Sequence, residues 1–164
     1  MAAGSTYTPI ATTTLGSAAS TVTFNSFSGY TDLRLIINAT NAGGANYNCF
    51  IKFNNDSGSN YSGTWINGNG TTASSNRDSN VTYARLGYTN TSTPSVLIAD
   101  IMNYSNSSTY KTYLTRANDP AYLVWGIVGL WRNTAAITSI TLYNEASANF
   151  NSGSTFTLYG ITAA

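Results

Sequence analysis

The residues of this chain that could perform acid–base chemistry are few and lie far apart. The sequence has no histidine, one cysteine, seven lysine or arginine residues and six acidic residues. Enzymes that move protons near neutral pH usually rely on histidine or on clustered carboxylates and lysines. The acids are Asp32, Asp56, Asp78, Asp100, Asp119 and Glu145. Glycoside hydrolysis needs two neighbouring carboxylates, and the positions of these six acids in the sequence do not indicate such a pair. We therefore expect a non-enzymatic protein without a cofactor.

The segment 54–60 offers oxygen atoms at alternating positions, as a calcium-binding loop does. It reads Asn-Asn-Asp-Ser-Gly-Ser-Asn, with Asp56 as its one carboxylate and no glutamate at its end. A calcium loop ends with a bidentate glutamate and usually carries several carboxylates. A tight turn, in which Asn, Asp and Gly adopt unusual backbone angles, explains this composition better. We therefore favour a turn, and a weak Ca²⁺ site near Asp56 is the alternative.

Two other patterns match catalytic motifs only in part. Cys49 lies in an apolar stretch, and the chain has no histidine to activate it, so we expect a small buried side chain rather than a nucleophile. Gly68 and Gly70 suggest a phosphate-binding loop, but no lysine follows them. We interpret this glycine pair as the tip of a hairpin.

Tyrosine is the residue type best suited to binding here, because it combines a rigid contact surface with a hydroxyl group. The chain has 12 tyrosines. Our candidate interaction residues are Tyr83, Tyr88, Tyr104, Tyr110, Tyr113 and Arg77. For about half of them, packing in the core or between strands is the alternative interpretation.

The charges argue against some partners and permit others. The net charge is +1, and the basic residues are scattered, whereas a nucleic-acid partner requires a clustered basic face. A net charge near zero permits self-association. Asp100 lies inside an apolar run and should have a cationic partner, for which Arg34, Arg85 and Arg116 are the candidates. The N-terminus lacks the features of a secretion signal, and the longest apolar run, 121–131, is too short to span a bilayer.

The elements that must position these side chains are β-strands. Apolar residues alternate with polar ones at a period of two along most of the chain, and no segment has helical spacing. We predict strands at 6–15, 20–26, 31–40, 46–54, 61–67, 81–88, 95–104, 109–117, 121–132, 136–143 and 153–162. Regular turn signals between short strands favour an all-β antiparallel sandwich, similar to a jelly roll, with about 8–10 strands. The chain is expected to form one domain, 1–164, with residues 1–8 as a candidate N-terminal arm and 67–79 as a long loop.

The run 122–131 is apolar at consecutive positions, so both faces of the strand it forms should be covered. Within a sandwich only one face of a strand meets the core. The other face should meet a loop of the same chain or a neighbouring subunit.

Three segments resemble a known family. They are 20–39 (Ser-Thr-Val-Thr-Phe onward), 51–61 with the following Gly/Ser-rich stretch 68–75, and the ending 151–161. In order and rough spacing they are similar to small all-β virion proteins of tailed bacteriophages, a group that includes capsid-decoration and tail-fibre-like proteins. The resemblance extends from about Thr8 to Ile161 and brings no catalytic residue with it.

The resemblance implies a virion structural protein that is made in the host cytoplasm and assembles as a homotrimer. Since the chain has no fibrous repeat, we expect a capsid decoration protein that contacts the major capsid protein. A tail-fibre module that recognises a host glycan is the alternative. We expect neither nucleic acid nor membrane as a partner.

Overall fold

The alternation of apolar and polar residues becomes a set of β-strands in the computed structural model, which describes residues 6–162. The strands are β1 (Tyr7–Thr14), β2 (Thr21–Asn25), β3 (Asp32–Ala39), β4 (Tyr47–Phe53), β5 (Tyr61–Gly68), β6 (Ala73–Val81), β7 (Ala84–Thr89), β8 (Ser95–Met102), β9 (Lys111–Asp119), β10 (Leu123–Trp131), β11 (Ser139–Asn144) and β12 (Thr155–Ile161). A 3₁₀ turn, Glu145–Ser147, precedes β12. In β3, Leu33, Leu35 and Ile37 are fully buried and the residues between them are partly exposed. The prediction of period-two strands is confirmed.

The strands form two antiparallel sheets that pack as a sandwich. The larger sheet has the order β1-β12-β3-β8-β9-β10-β5-β6, and the smaller has the order β2-β11-β4-β7. Large side chains from both sheets are fully buried between them, among them Phe53, Tyr61 and Trp131. The prediction of an antiparallel β-sandwich is therefore confirmed.

Two hairpins, β5–β6 and β9–β10, explain why the sheets differ in size. Without them, β1, β12, β3 and β8 face β2, β11, β4 and β7, an order that fits the predicted jelly-roll arrangement. The hairpins pair with each other through β10 and β5 and extend the large sheet, and β7 packs against β9 and β10. We call β9, β10, β5 and β6 the wing and the other eight strands the frame. Residues 6–162 form 12 strands, more than the predicted 8–10, because the two hairpins add four.

The segment 67–79, predicted as a long loop, instead belongs largely to β6. This strand pairs along its length with β5, and Ser75 lies opposite Ile66. The prediction was wrong because β6 consists mostly of Ser, Asn and Asp and therefore carries no alternation of apolar residues. Hydrogen bonding to β5, rather than the burial of side chains, makes this segment a strand.

The tip of the β5–β6 hairpin lies at Gly68 and Gly70, as predicted from the sequence. Gly70 has a φ of 85°, which glycine adopts without steric cost. The Asn69 side-chain oxygen accepts hydrogen bonds from the backbone N–H groups of Thr71 and Thr72, at 3.0 and 2.7 Å. The hairpin interpretation is confirmed.

The candidate N-terminal arm overlaps the first strand. Tyr7 and Thr8 pair with Ile161 and Gly160 of β12, so these two residues belong to the sheet rather than to an arm. Residues 1–5 lie outside the described residues. Across 6–162, no helix is long and apolar enough to cross a membrane.

Candidate interaction surface

Two of the six predicted interaction residues lie in the core. Tyr104 and Tyr113 are 2% and 3% exposed, so neither is accessible to a partner, and for these two the packing alternative is correct. Tyr113 points inward from β9 over Gly129, where an added Cβ would lie 1.9 Å from the ring. Burial raises the pKa of the Tyr113 hydroxyl, which donates a 3.3 Å hydrogen bond to the Arg85 carbonyl.

The other four predicted residues reach the surface at separate places. Tyr110 is 53% exposed and lies just before β9. Arg77 is exposed on β6, and its Nε donates to the Ser79 hydroxyl at 3.1 Å. Tyr83, directly before β7, and Tyr88, within β7, are half-buried. The structure therefore does not gather the predicted residues into one site.

Tyr88 belongs to a row of aromatic rings at the end of the wing. Its ring contacts Trp125 edge-on at a centroid distance of 5.0 Å and Tyr122 at 6.0 Å. Trp125 in turn stacks on Trp65 at 5.8 Å. Tyr122 is 49% exposed, whereas both tryptophans are under 10% exposed. Only the Tyr88–Tyr122 end of the row is open to a ligand.

Arg85 fixes the inner side of the wing to the small sheet. Its guanidinium lies 4.6 Å from the centre of the Trp65 ring, and its Nε donates to the Asp78 carboxylate at 3.1 Å. A second guanidinium nitrogen donates to the side-chain oxygen of Asn48. Asp78 on β6 is therefore paired with Arg85 on β7. Both charged side chains are largely buried, so this pair is a structural tie.

The loop around Asp56 is a hydrogen-bonded turn rather than a calcium site. One Asp56 carboxylate oxygen accepts hydrogen bonds from Trp131 Nε1 at 2.7 Å and Asn60 Nδ2 at 2.8 Å. The other accepts from the Gly58 backbone N–H at 2.8 Å. Burial disfavours the charged form, but these hydrogen bonds and the nearby Lys52 charge outweigh it, and the pKa of Asp56 is lowered. Both oxygens already bind N–H donors, so the weak Ca²⁺ alternative is not supported.

Two of the three cationic partners predicted for Asp100 lie beside it, and the third, Arg85, pairs with Asp78 instead. Arg34 Nε donates to one carboxylate oxygen at 2.5 Å, and Arg116 lies 4.0 Å from the other. The hydrogen bond from Arg34 to Asp100 raises the pKa of the guanidinium. Arg34 also donates to the Tyr7 hydroxyl at 2.7 Å. This network lies on the outer face of the frame and serves as a lock between β3 and β8.

Few groups in the described chain are available for covalent or metal chemistry. Burial raises the pKa of the Cys49 thiol to about 12, so the thiolate is scarce at neutral pH. Lys111 is 1% exposed, and its ammonium donates to the carbonyls of Thr109 and Thr134. No group of three metal-ligating side chains of the His, Cys, Asp and Glu types occurs within residues 6–162.

The outer face of the wing carries the main group of exposed aliphatic residues. Ile66 on β5 is 67% exposed, Val124 and Val128 on β10 are 60% and 56% exposed, and Leu114 on β9 is 47% exposed. Register places Leu114 beside Val128 and Ile66 beside Gly126. We call these four residues, with Gly126, the outer wing face. Nothing in the described chain covers it.

Glycines make the outer wing face uneven. A shallow hollow of about 600 Å³ lies at the tips of the hairpins, lined by Ile66, Val124, Gly126 and Ala73 among others. A second, of about 440 Å³, lies between Thr64, Arg77 and Val128. The sequence indicated the exposed side of β10 through its apolar run. Ile66 and Leu114 were missed, because each is a single apolar residue at an outward position in a strand that also buries apolar residues.

Comparison with known protein families, with curated proteins and with solved structures finds no match in any of the three.

Proposed function

We propose that this chain is a non-enzymatic structural subunit on the exterior of a tailed-phage virion, where it decorates the capsid and stabilises the shell. The observation that carries the proposal is the outer wing face, where four aliphatic side chains are exposed together. Apolar surface of a few hundred Å² with a polar rim is typical of protein–protein contacts. A subunit of this kind acts through buried area and hydrogen bonds, not through reactive groups.

The virion setting of the proposal comes from the resemblance of segments 20–39, 51–61, 68–75 and 151–161 to tailed-phage virion proteins. The sandwich fold is compatible with that setting. The partners proposed on this basis are the major capsid protein and further copies of the same chain, for which the resemblance implies a trimer. In this setting the chain is made in the host cytoplasm and ends in the particle.

Copy number in purified particles tests this proposal. Quantitative mass spectrometry of the chain against the major capsid protein should give hundreds of copies per virion. A few to a few tens of copies would assign the chain to the tail. Its absence from particles would overturn the virion proposal.

The alternative function, recognition of a host glycan by a tail-fibre module, has one observation in its favour. Tyr88 and Tyr122 form the open end of the aromatic row, and aromatic faces of this kind stack on sugar rings. Tyr122→Ala should then abolish oligosaccharide binding in a glycan array or calorimetric titration. Tyr110→Ala is the matched control, because Tyr110 is as exposed as Tyr122 but lies outside the row. Equal loss in both variants, or no binding by the unmodified chain, would remove this alternative.

A further inference from the structure

We infer that the outer wing face binds a second copy of this chain, in a two-fold-symmetric pair that packs wing against wing. The inference rests on the proposed function as a structural subunit and names the partner of that surface.

The size of the face suits a pair. The outer wing face lies on the outward side of the wing, whose four strands, spaced about 4.8 Å apart and each about eight residues long, give a footprint on the order of 500 Å² per copy. A pair that uses this whole outward side, with its polar β6 border, buries about 1,000 Å² or more in total, the lower bound for a specific protein–protein interface. Two sheets packed face to face is also how this protein builds its own core, so the contact requires no new kind of packing.

The shape of the face is complementary to itself. Val128 projects from β10, and two residues earlier on the same face Gly126 has no side chain. An added Cβ at Gly126 would make only ordinary contact with Ile66, at 3.5 Å, which shows that this position is open. A two-fold axis that crosses β10 near Ile127 sets Val128 of each copy over Gly126 of the other. One knob and one hollow, used twice, make an isologous contact.

The charges on the face are also compatible with self-association. Arg77 lies on β6, at the border of the wing, and Arg116 lies on β9, two residues from Leu114 on the same strand. The proposed axis sets Arg77 opposite Ser75, and Arg116 opposite Leu114, of the other copy. Like charges are therefore not opposed, and the aliphatic part of the Arg116 side chain covers Leu114. The chain carries a net charge of only +1, and long-range repulsion between copies is therefore weak.

The geometry points to a pair rather than to the trimer implied by the resemblance. A three-fold ring joins two different patches of each subunit, whereas a face that is complementary to itself closes a two-fold pair. Any three-fold contact would have to use another surface.

Sedimentation equilibrium of the purified full chain, over a range of concentrations, tests the inference. The unmodified chain should have twice the mass of one chain. Val128→Asp should raise the dissociation constant at least about a hundredfold, because each pair would bury two unpaired carboxylates. Gly126→Asn should raise it about tenfold by filling the hollow that receives Val128. Thr12→Asp, on the exposed part of β1 at the far edge of the same sheet, is the control and should leave the pair intact.

Thermal unfolding of each variant shows whether it folds. If Val128→Asp does not fold, Gly126→Asn still tests the contact between the two copies. A monomer at about 100 μM, or a trimer, would overturn the inference. The inference would also be overturned if Gly126→Asn and Val128→Asp both fold and both still form the dimer. The copy number in virions is measured separately, so a failed pair does not by itself remove the structural role, and absence from virions does not remove the pair.

Discussion

The outer faces of the frame and of the wing belong to one continuous sheet, yet they present different surfaces. On the frame, the outward residues satisfy one another: Arg34 pairs with Asp100, and the hydroxyls of Thr12 and Thr157 are 3.1 Å apart. On the wing, the outward residues include Val124 and Val128, which have no such partners among the described residues. The charged and hydroxyl groups named here on the frame therefore have partners within the chain, whereas the outward aliphatic residues of the wing are uncovered in the described chain.

The inner side of the wing is held firmly, in contrast to its outer face. Arg85 ties β6 to the small sheet through Asp78 and covers Trp65. Tyr113 fills the space that Gly129 leaves on β10. The inner side of the wing is therefore fixed to the small sheet, and the exposed aliphatic residues lie on the opposite side.

Arg85→Met should cost about 3 kcal/mol of unfolding free energy, because it leaves the Asp78 carboxylate buried without its partner. Arg34→Met is the matched change on the frame, and we expect about 1 kcal/mol there, since that pair is closer to solvent and Arg116 remains near Asp100. Urea unfolding of both variants measures the difference. Equal losses would show that the wing is not tied more firmly than the frame's outer face.

Gly129→Ala should cost about 2 kcal/mol, because the new methyl group overlaps the Tyr113 ring and forces it to move. Gly126→Ala, three residues earlier on the same strand, adds a methyl group on the outer face and should change stability by less than about 0.5 kcal/mol. Denaturant midpoints of the two variants compare the two sides of β10 directly. A tolerated Gly129→Ala would contradict the close packing of the wing's inner side.

The Asp56 turn, which clamps the start of β5 to Trp131, should make stability depend on pH. Because the folded-state pKa of Asp56 is lowered, its contribution is present above the ordinary carboxyl pKa and is lost as pH falls through the folded-state value. Asp56→Asn should cost about 1–2 kcal/mol at neutral pH and flatten this acid dependence. Thermal unfolding from pH 7 to pH 3 measures both. An unchanged slope in the variant would mean that other carboxylates cause the acid sensitivity.

Thr12→Val should change the unfolding free energy by less than about 0.5 kcal/mol, because the hydrogen bond that it removes is exposed to water. The same variant adds one aliphatic side chain to the outer face of the frame. It therefore also tests whether one such side chain is enough to make copies of the chain associate through that face. We expect no change in sedimentation. Association of Thr12→Val would show that the frame differs from the wing by very little.

Most of the strands could be predicted from the sequence, because a strand with one buried face has apolar residues at every second position. Val22 and Phe24, or Leu33 and Leu35, alternate with polar residues, and their burial follows directly. Sequence reasoning also found two partners of Asp100, since a charge in an apolar strand requires one. It missed β6, whose Ser- and Asn-rich sequence is typical of loops, and it placed Tyr104 and Tyr113 among candidate contacts although both are buried.

The fold class follows from the sequence, because period-two alternation allows an apolar face to be buried only in sheets. The apolar run of β10 also predicts cover on both of its faces, and for the outer face this stays a prediction. The folded chain was needed to show which side of β10 meets the core, that Leu114 and Ile66 lie on the same outward side, and that Arg85 reaches Asp78. These outcomes depend on strand order and register, which join residues distant in the chain, and local alternation carries no information about either.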